Sequence, residues 1–237
     1  MENRTRKKKL SDEVRLRLLD LINSGALGPG EVLPSERELM ERLGVGRPAI
    51  REAMQSLEGL GLIQIRHGGR ARVAEPSVGR MVEQVSETMK HVLANSPASL
   101  ENLKEARALF EREMARIAAK RRSASDVERL EEIAAAQEQV VDNPGRFRSL
   151  DGRFHREIAA ISGNPIFAAL VDALFRWLSD FHVDLVSVPG LERLTLQEHR
   201  EILDGIARGD ADRAAAAMAD HLLRANDLYR QSHLTRG

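Results

Sequence analysis

The sequence predicts a mainly α-helical protein in two parts, of which only the N-terminal part contains β-structure. Apolar residues recur with helical spacing along most of the 237 residues. Residues 62–73 instead alternate apolar and polar side chains around two glycines, as a two-stranded hairpin does. Because 42% of the residues are hydrophobic, the chain can build a separate core in each of two modest domains.

Composition excludes several classes of protein. The chain has no cysteine, which rules out disulfides, thiol catalysis and thiolate metal sites. No apolar run approaches the roughly 20 residues that span a bilayer, and no apolar stretch follows the basic N-terminus, so we expect a cytoplasmic protein without membrane contact. Residues 1–73 carry an excess of four positive charges and the remainder an excess of four negative charges, so the basic end is the candidate for binding nucleic acid.

The first two helices are predicted from their caps and apolar stripes. Ser11 is in position to cap the first helix, which should stop at Gly25. The second helix should run from Ser35 to Leu43, because Ser35 and Glu38 have the spacing of a capping box.

The third helix and the hairpin complete a predicted winged helix-turn-helix. Residues 44–46 break the second helix, Pro48 suits the first turn of the next helix, and Gly59 and Gly61 end it. Two short helices joined by a tight turn form a helix-turn-helix, and the hairpin at residues 62–73 then forms its wing.

The winged helix-turn-helix carries side chains that can contact double-stranded DNA. Arg47 and Arg51 are four residues apart and share a face of the third helix, while Arg37 lies near the start of the second. Arginine can donate hydrogen bonds to guanine O6 and N7 at the same time. Each of the three arginines could also be an ordinary surface residue. At the wing tip, His67 can reach the minor groove and Gly68 lets the backbone approach DNA; glycine there could also serve only the turn.

The remaining chain is predicted to be entirely helical. Residues 1–73 form the DNA-binding domain, residues 74–80 contain proline and glycine and form a linker, and residues 81–237 form a bundle of six or seven helices. The expected breaks between helices are at residues 95–97, 143–145, 163–165, 189–190 and 209–210.

The DNA-binding domain of GntR-family regulators closely resembles residues 33–73, LPSERELMERLGVGRPAIREAMQSLEGLGLIQIRHGGRARV. The rest of the chain is similar to the FCD ligand-binding domain of the FadR subfamily. The resemblance implies a homodimeric transcription regulator, most often a repressor, and not an enzyme. Many members have hydroxyl residues where this chain has Gly46, Pro48 and Ala49. By position, the family's DNA contacts fall on Arg37, Arg47, Arg51, His67 and Gly68.

A metal site is implied by the same resemblance. Asp151 and His155 are four residues apart and share a helix face, and His199 and His221 follow on later helices. Taken alone, a histidine on an amphipathic helix is usually only a half-buried polar residue. Metal-binding FCD domains, however, use an aspartate, a histidine four residues later and two more distant histidines, and this sequence matches all four. Zinc is the expected ion, with nickel or manganese as alternatives.

The resemblance also implies an effector and two residues that bind it. Arg107 is placed to hold an anionic ligand and Asn164 to line the cavity, although a surface ion pair and a turn residue are the ordinary interpretations. The VGRP, RARV and GNPIF stretches are similar to a sialic-acid-responsive repressor of the subfamily. The expected effector is a small carboxylate, namely a sialic acid, a sugar acid or an aromatic-pathway acid.

Two other functions are compatible with parts of the sequence. A metal held by one carboxylate and three imidazoles could activate water in a metal-dependent hydrolase, but no separate general base stands out and the DNA-binding domain would be unexplained. An architectural DNA-binding dimer without an effector would not need a buried polar metal cluster.

Overall fold

The computed structural model describes the backbone of residues 9–66, 69–181 and 191–234, and the side chains of these ranges except residue 181 and residues 225–234. The chain forms two compact units, Met1–Gln84 and Val85–Gly237. Among the described residues, none of the helices is both long and apolar enough to cross a membrane.

Up to residue 73, the described part of the N-terminal unit contains three helices and a short antiparallel hairpin. Ile63 pairs with Val73 and Gln64 with Arg72. Its core gathers apolar side chains from every element, including Leu18, Ile50 and Leu57. The elements are α1 (Leu10–Asn23), α2 (Glu36–Leu43), α3 (Arg47–Gly59), β1 (Ile63–Gln64) and β2 (Arg72–Val73).

The structure confirms one predicted cap and corrects another. Ser35 and Glu38 form a reciprocal capping box at the start of α2. Ser11, in contrast, does not cap α1: the helix already begins at Leu10, and Ser11 is buried within its first turn. The N-cap position is Lys9, whose side chain makes no capping hydrogen bond, so the predicted cap at Ser11 was wrong. The predicted wing-tip residues His67 and Gly68 lie outside the described residues.

Seven helices follow the hairpin within the described ranges. The first begins at Val78, so of the segment predicted as a linker, residues 74–80, only residues 74–77 lie outside regular structure. The helices are α4 (Val78–Asn95), α5 (Pro97–Arg121), α6 (Ala124–Glu138), α7 (Pro144–Ala160), α8 (Pro165–Phe181), α9 (Leu191–Arg208) and α10 (Ala211–Leu234).

One break between these helices was not predicted. Ser123 caps α6 in a second capping box with Asp126, and this separates α6 from α5. The Ser-x-x-Asp spacing was visible in the sequence. The predicted break at residues 189–190 lies outside the described residues.

The core of the second unit gathers buried side chains from all of the helices α5 to α10. Phe154, Ile158 and Ile202 are fully buried there. Gly205 allows α9 to approach α10 closely, because a Cβ at this position would lie 2.8 Å from the backbone nitrogen of Ala214. The three helices that carry the predicted metal ligands, α7, α9 and α10, are therefore packed around one core.

Candidate metal centre and nucleic-acid interface

The four predicted metal ligands meet in the interior of the second unit. Asp151 and His155 come from α7, His199 from α9 and His221 from α10. One nitrogen or oxygen atom from each residue lies within 4.8 Å of the others. The three histidines are buried, at 5% exposure or less. The His199 Nε2 and Asp151 Oδ1 atoms are 3.2 Å apart, and the Nε2 atoms of His155 and His221 are 3.3 Å apart.

Local packing fixes the positions of these side chains. The helical spacing of Asp151 and His155 places both on the face of α7 that faces the core. The His199 ring stacks on Phe154, with ring centroids 4.2 Å apart. Gly152 leaves room for Phe175 from α8, because a Cβ there would lie 2.7 Å from the phenyl ring.

Each histidine contacts a second polar group through its Nδ1 atom. The His221 Nδ1 atom is 2.7 Å from Glu198 Oε2, and the His199 Nδ1 atom is 2.9 Å from Gln137 Oε1. The His155 Nδ1 atom contacts Glu111 Oε2, although the pair is not aligned as a hydrogen bond. Metal-binding histidines characteristically carry such outer partners, which fix the orientation of the ring.

The residues fit a bound cation. Carboxylates only accept hydrogen bonds, so Glu111 and Glu198 favour a proton on the Nδ1 atoms of His155 and His221. The two facing Nε2 atoms then both present lone pairs, which repel each other unless a positive charge lies between them. The Asp151 Oδ1 and His199 Nε2 atoms are likewise buried without a hydrogen bond. A metal ion would satisfy all four atoms.

His199 and His221 also have the protonation state that metal binding requires. Burial lowers the pKa of His221 to about 4, although the Glu198 carboxylate opposes this shift. Burial likewise lowers the pKa of His199. The imidazoles of His199 and His221 are therefore neutral near pH 7, and their lone pairs are free to bind a metal.

The three outer partners were not predicted from the sequence. Gln137 continues the apolar stripe of α6 formed by Leu130 and Ile133, and a polar residue on such a stripe was a usable signal. Glu111 and Glu198 are glutamates on helices rich in charge, where spacing alone does not separate a buried acid from an exposed one.

Arg107 and Asn164, predicted to bind an effector, lie in different environments. Arg107 is buried, pairs with Glu111 at 2.5 Å and places its guanidinium carbon 5.2 Å from the centroid of the Phe175 ring. Because Glu111 also contacts His155, Arg107 is one residue removed from the metal cluster. Asn164 lies in the turn before α8, where its Oδ1 atom accepts a hydrogen bond from the Ile166 backbone at 3.0 Å.

The arginines predicted to contact DNA are exposed on the first unit. Arg47 and Arg51 lie one turn apart on α3, and their Nε atoms are 3.6 and 2.9 Å from the carboxylate of Glu36 on α2. Arg37 is the most exposed of the three and is 3.9 Å from Glu41. The wing is joined to α2 by Arg70, which donates hydrogen bonds to the Leu33 carbonyl and to Glu38.

Comparison with known proteins agrees with this arrangement. The model of the family "Bacterial regulatory proteins, gntR family" matches residues 10–73, and the FCD domain model matches residues 102–224. HTH-type transcriptional repressor NanR from Edwardsiella tarda is 37% identical over 91% of this chain and 84% of its own length. The chain belongs to the GntR family.

Other members of the GntR family support the same conclusion. NanR from Escherichia coli K12 is 37% identical over 91% of this chain and 82% of its own length. The solved structure of Streptococcus agalactiae GntR has a TM-score of 0.57 and 26% identity, and covers 90% of this chain and 98% of its own. The predicted fold, a winged helix-turn-helix followed by an all-helical FCD domain, is confirmed. This GntR protein is a DNA-binding transcription regulator and not an enzyme.

Proposed function

We propose that this GntR protein is a homodimeric repressor that leaves its operator when a small carboxylate binds at the metal centre. The observation that carries the proposal is the convergence of four buried ligand atoms, of which two have no hydrogen bond and two, the Nε2 atoms of His155 and His221, lie 3.3 Å apart. The relatives from Edwardsiella tarda and Escherichia coli are named as repressors, which supports repression rather than activation.

Zinc is the ion that we assign to this site. Three imidazole nitrogens and one carboxylate oxygen, contributed by His155, His199, His221 and Asp151, form a ligand set that zinc, nickel or manganese accepts. A bound divalent ion would act as a Lewis acid toward the carboxylate of an effector.

The charges around the centre favour an anionic effector. Three carboxylates, those of Asp151, Glu111 and Glu198, are close to two arginines, Arg107 and Arg224. The net charge of these five side chains is one negative charge, so a bound divalent cation would leave the site with one positive charge. A monoanion neutralises it, which supports a sialic acid, a sugar acid or an aromatic-pathway acid. In this proposal Arg107 binds the carboxylate and Asn164 contributes to the cavity.

The DNA-reading residues are proposed to be Arg37, Arg47, Arg51, His67 and Gly68. Arg47 and Arg51 support the proposal most directly, since both project from one face of α3 and are more than 60% exposed. Contact with Glu36 holds the two guanidinium groups beside each other. A bidentate contact from either to guanine would read sequence in the major groove.

In this proposal residues 1–73 bind DNA and residues 74–80 link the two domains. Residues 81–237 bind the effector and form the dimer. The effector can change DNA affinity only if it binds two arrangements of the protein with different affinities. Arg107 and the four metal ligands lie on α5, α7, α9 and α10, so an effector that these residues would hold would bind with a different affinity if the packing of the helices changed.

A thermal-shift screen of carboxylic acids against the zinc-loaded and the chelator-treated protein tests the proposal. A ligand that binds only the native state raises the melting temperature. We expect one class of acid to raise it in the zinc-loaded protein alone, and the same acid to release a preformed complex with operator DNA. A protein that binds no zinc, or an acid that acts equally with and without zinc, would contradict the proposal.

A further inference from the structure

Gln137 differs from the other two outer partners because its side chain is an amide. It is fully buried near the end of α6, with its Oε1 atom 2.9 Å from His199 Nδ1. Glu111 and Glu198, at the corresponding positions beside His155 and His221, are carboxylates that only accept hydrogen bonds. An amide can accept or donate, so its orientation decides which nitrogen of His199 carries the proton.

A backbone carbonyl fixes that orientation. The Gln137 Nε2 atom is 3.4 Å from the carbonyl oxygen of Phe147, a group that can only accept. The reverse orientation would place two carbonyl oxygens against each other in a buried site, where neither could be solvated. The Gln137 oxygen therefore faces His199, and the His199 Nδ1 atom must be the donor.

The consequence lies on the opposite side of the imidazole ring. With the proton on Nδ1, the Nε2 atom presents its lone pair toward Asp151 Oδ1, 3.2 Å away. We infer that Gln137 is a positioning residue, which holds His199 in the tautomer that binds the metal and prevents it from donating its proton to Asp151. This inference rests on the proposed metal site and assigns one more residue to it.

The neutral amide also has a consequence for charge. A glutamate at position 137 would supply the same acceptor but would add a negative charge to the site. The amide keeps the loaded centre one charge more positive than a third outer carboxylate would, which favours the anionic effector.

The test compares Gln137→Leu, which removes the acceptor, with Gln137→Glu, which keeps an acceptor. The control is Glu138→Gln, because Glu138 contacts Arg200 at 2.8 Å and so joins the same two helices on the exposed surface. Zinc affinity is measured on the full-length protein by competition with a chelating indicator. We expect Gln137→Leu to weaken zinc binding by about 10- to 100-fold, as is typical for loss of such a partner. Gln137→Glu should restore most of the affinity, and Glu138→Gln should leave it unchanged.

The tautomer itself supplies a readout that needs no zinc and that the wild type alone can decide. Long-range proton–nitrogen NMR correlations of the metal-free wild type should show His199 protonated at Nδ1, and Gln137→Leu should shift it toward protonation at Nε2. A wild-type His199 protonated at Nε2 would overturn the inference, even if Gln137→Leu failed to fold. If the wild type binds zinc and Gln137→Leu binds it equally well, the role inferred for Gln137 is overturned while the proposed metal site stands. Absence of zinc binding by the wild type would overturn the proposed function.

Discussion

At the scale of single residues, DNA recognition should depend most on Arg47. Its guanidinium is exposed on α3 and contacts only Glu36 among its described ion pairs. We expect Arg47→Ala to weaken binding to the operator by about 1 to 3 kcal/mol, the usual range for loss of a bidentate base contact, without loss of fold. Fluorescence anisotropy with operator and scrambled DNA would measure the change.

The control for this substitution is Arg17→Ala, which removes an exposed arginine from α1. We expect Arg17→Ala to alter affinity for both DNAs slightly and equally. If Arg47→Ala bound its operator like the wild type, α3 would not be the reading helix.

At the scale of residues, the positions of side chains could be predicted where the geometry that determines them is local. Asp151 and His155 share a helix face because they are four residues apart, which the sequence shows directly. The contact between Gln137 and His199 joins residues 62 positions apart, and it depends on how α6 packs against α9. Periodicity indicates which face of each helix is buried but not which polar groups meet there.

At the scale of helices, the capping box of α2 should stabilise the start of the helix-turn-helix. The Ser35 hydroxyl accepts a hydrogen bond from the Glu38 backbone at 3.2 Å. We expect Ser35→Ala to cost about 1 kcal/mol and to speed amide exchange in α2 about fivefold. Ser56→Ala makes the same change on the exposed side of α3 and should have little effect. Equal exchange in the two variants would show that the cap does not stabilise α2.

The same capping box should weaken in acid. Hydrogen bonds from the Ser35 backbone and hydroxyl hold the pKa of Glu38 below its ordinary value of 4.5. A group with a lowered pKa in the folded state stabilises that state above its ordinary value and loses this effect as the pH falls through the lowered value. The difference in α2 exchange between wild type and Ser35→Ala should therefore shrink below pH 4.5. A difference that is constant down to the acid unfolding of the protein would contradict this assignment.

Prediction of helices from the sequence succeeded where glycine, proline or a cap marked the ends. The start of α2 at its capping box and the end of α3 at Gly59 followed from these signals. The start of α1 did not, because a buried Ser11 has the same local sequence signature as a capping serine. Whether a serine side chain faces the core or the helix end is decided by tertiary packing.

At the scale of the whole molecule, the uneven distribution of charge should make DNA binding depend on salt. The excess of positive charge in residues 1–73 would double in the proposed dimer. Each phosphate contact releases condensed counterions, so the slope of log affinity against log salt should be negative, by about 0.9 per phosphate neutralised. Affinity measured from low to moderate salt would give the slope, and a flat dependence would contradict docking through the arginine-rich face.

The proposed metal centre connects effector binding to release of DNA, and a titration of operator complexes tests this connection most directly. Operator complexes of wild type and of the His199→Ala/His221→Ala double variant are titrated with the carboxylate found in the thermal-shift screen, and zinc content is measured alongside. We predict that the double variant loses zinc and no longer releases DNA on addition of the acid, while its affinity for the operator stays close to that of the wild type, since neither histidine lies in the DNA-binding unit. Release of DNA by the double variant at the concentration of acid that acts on the wild type would contradict the account.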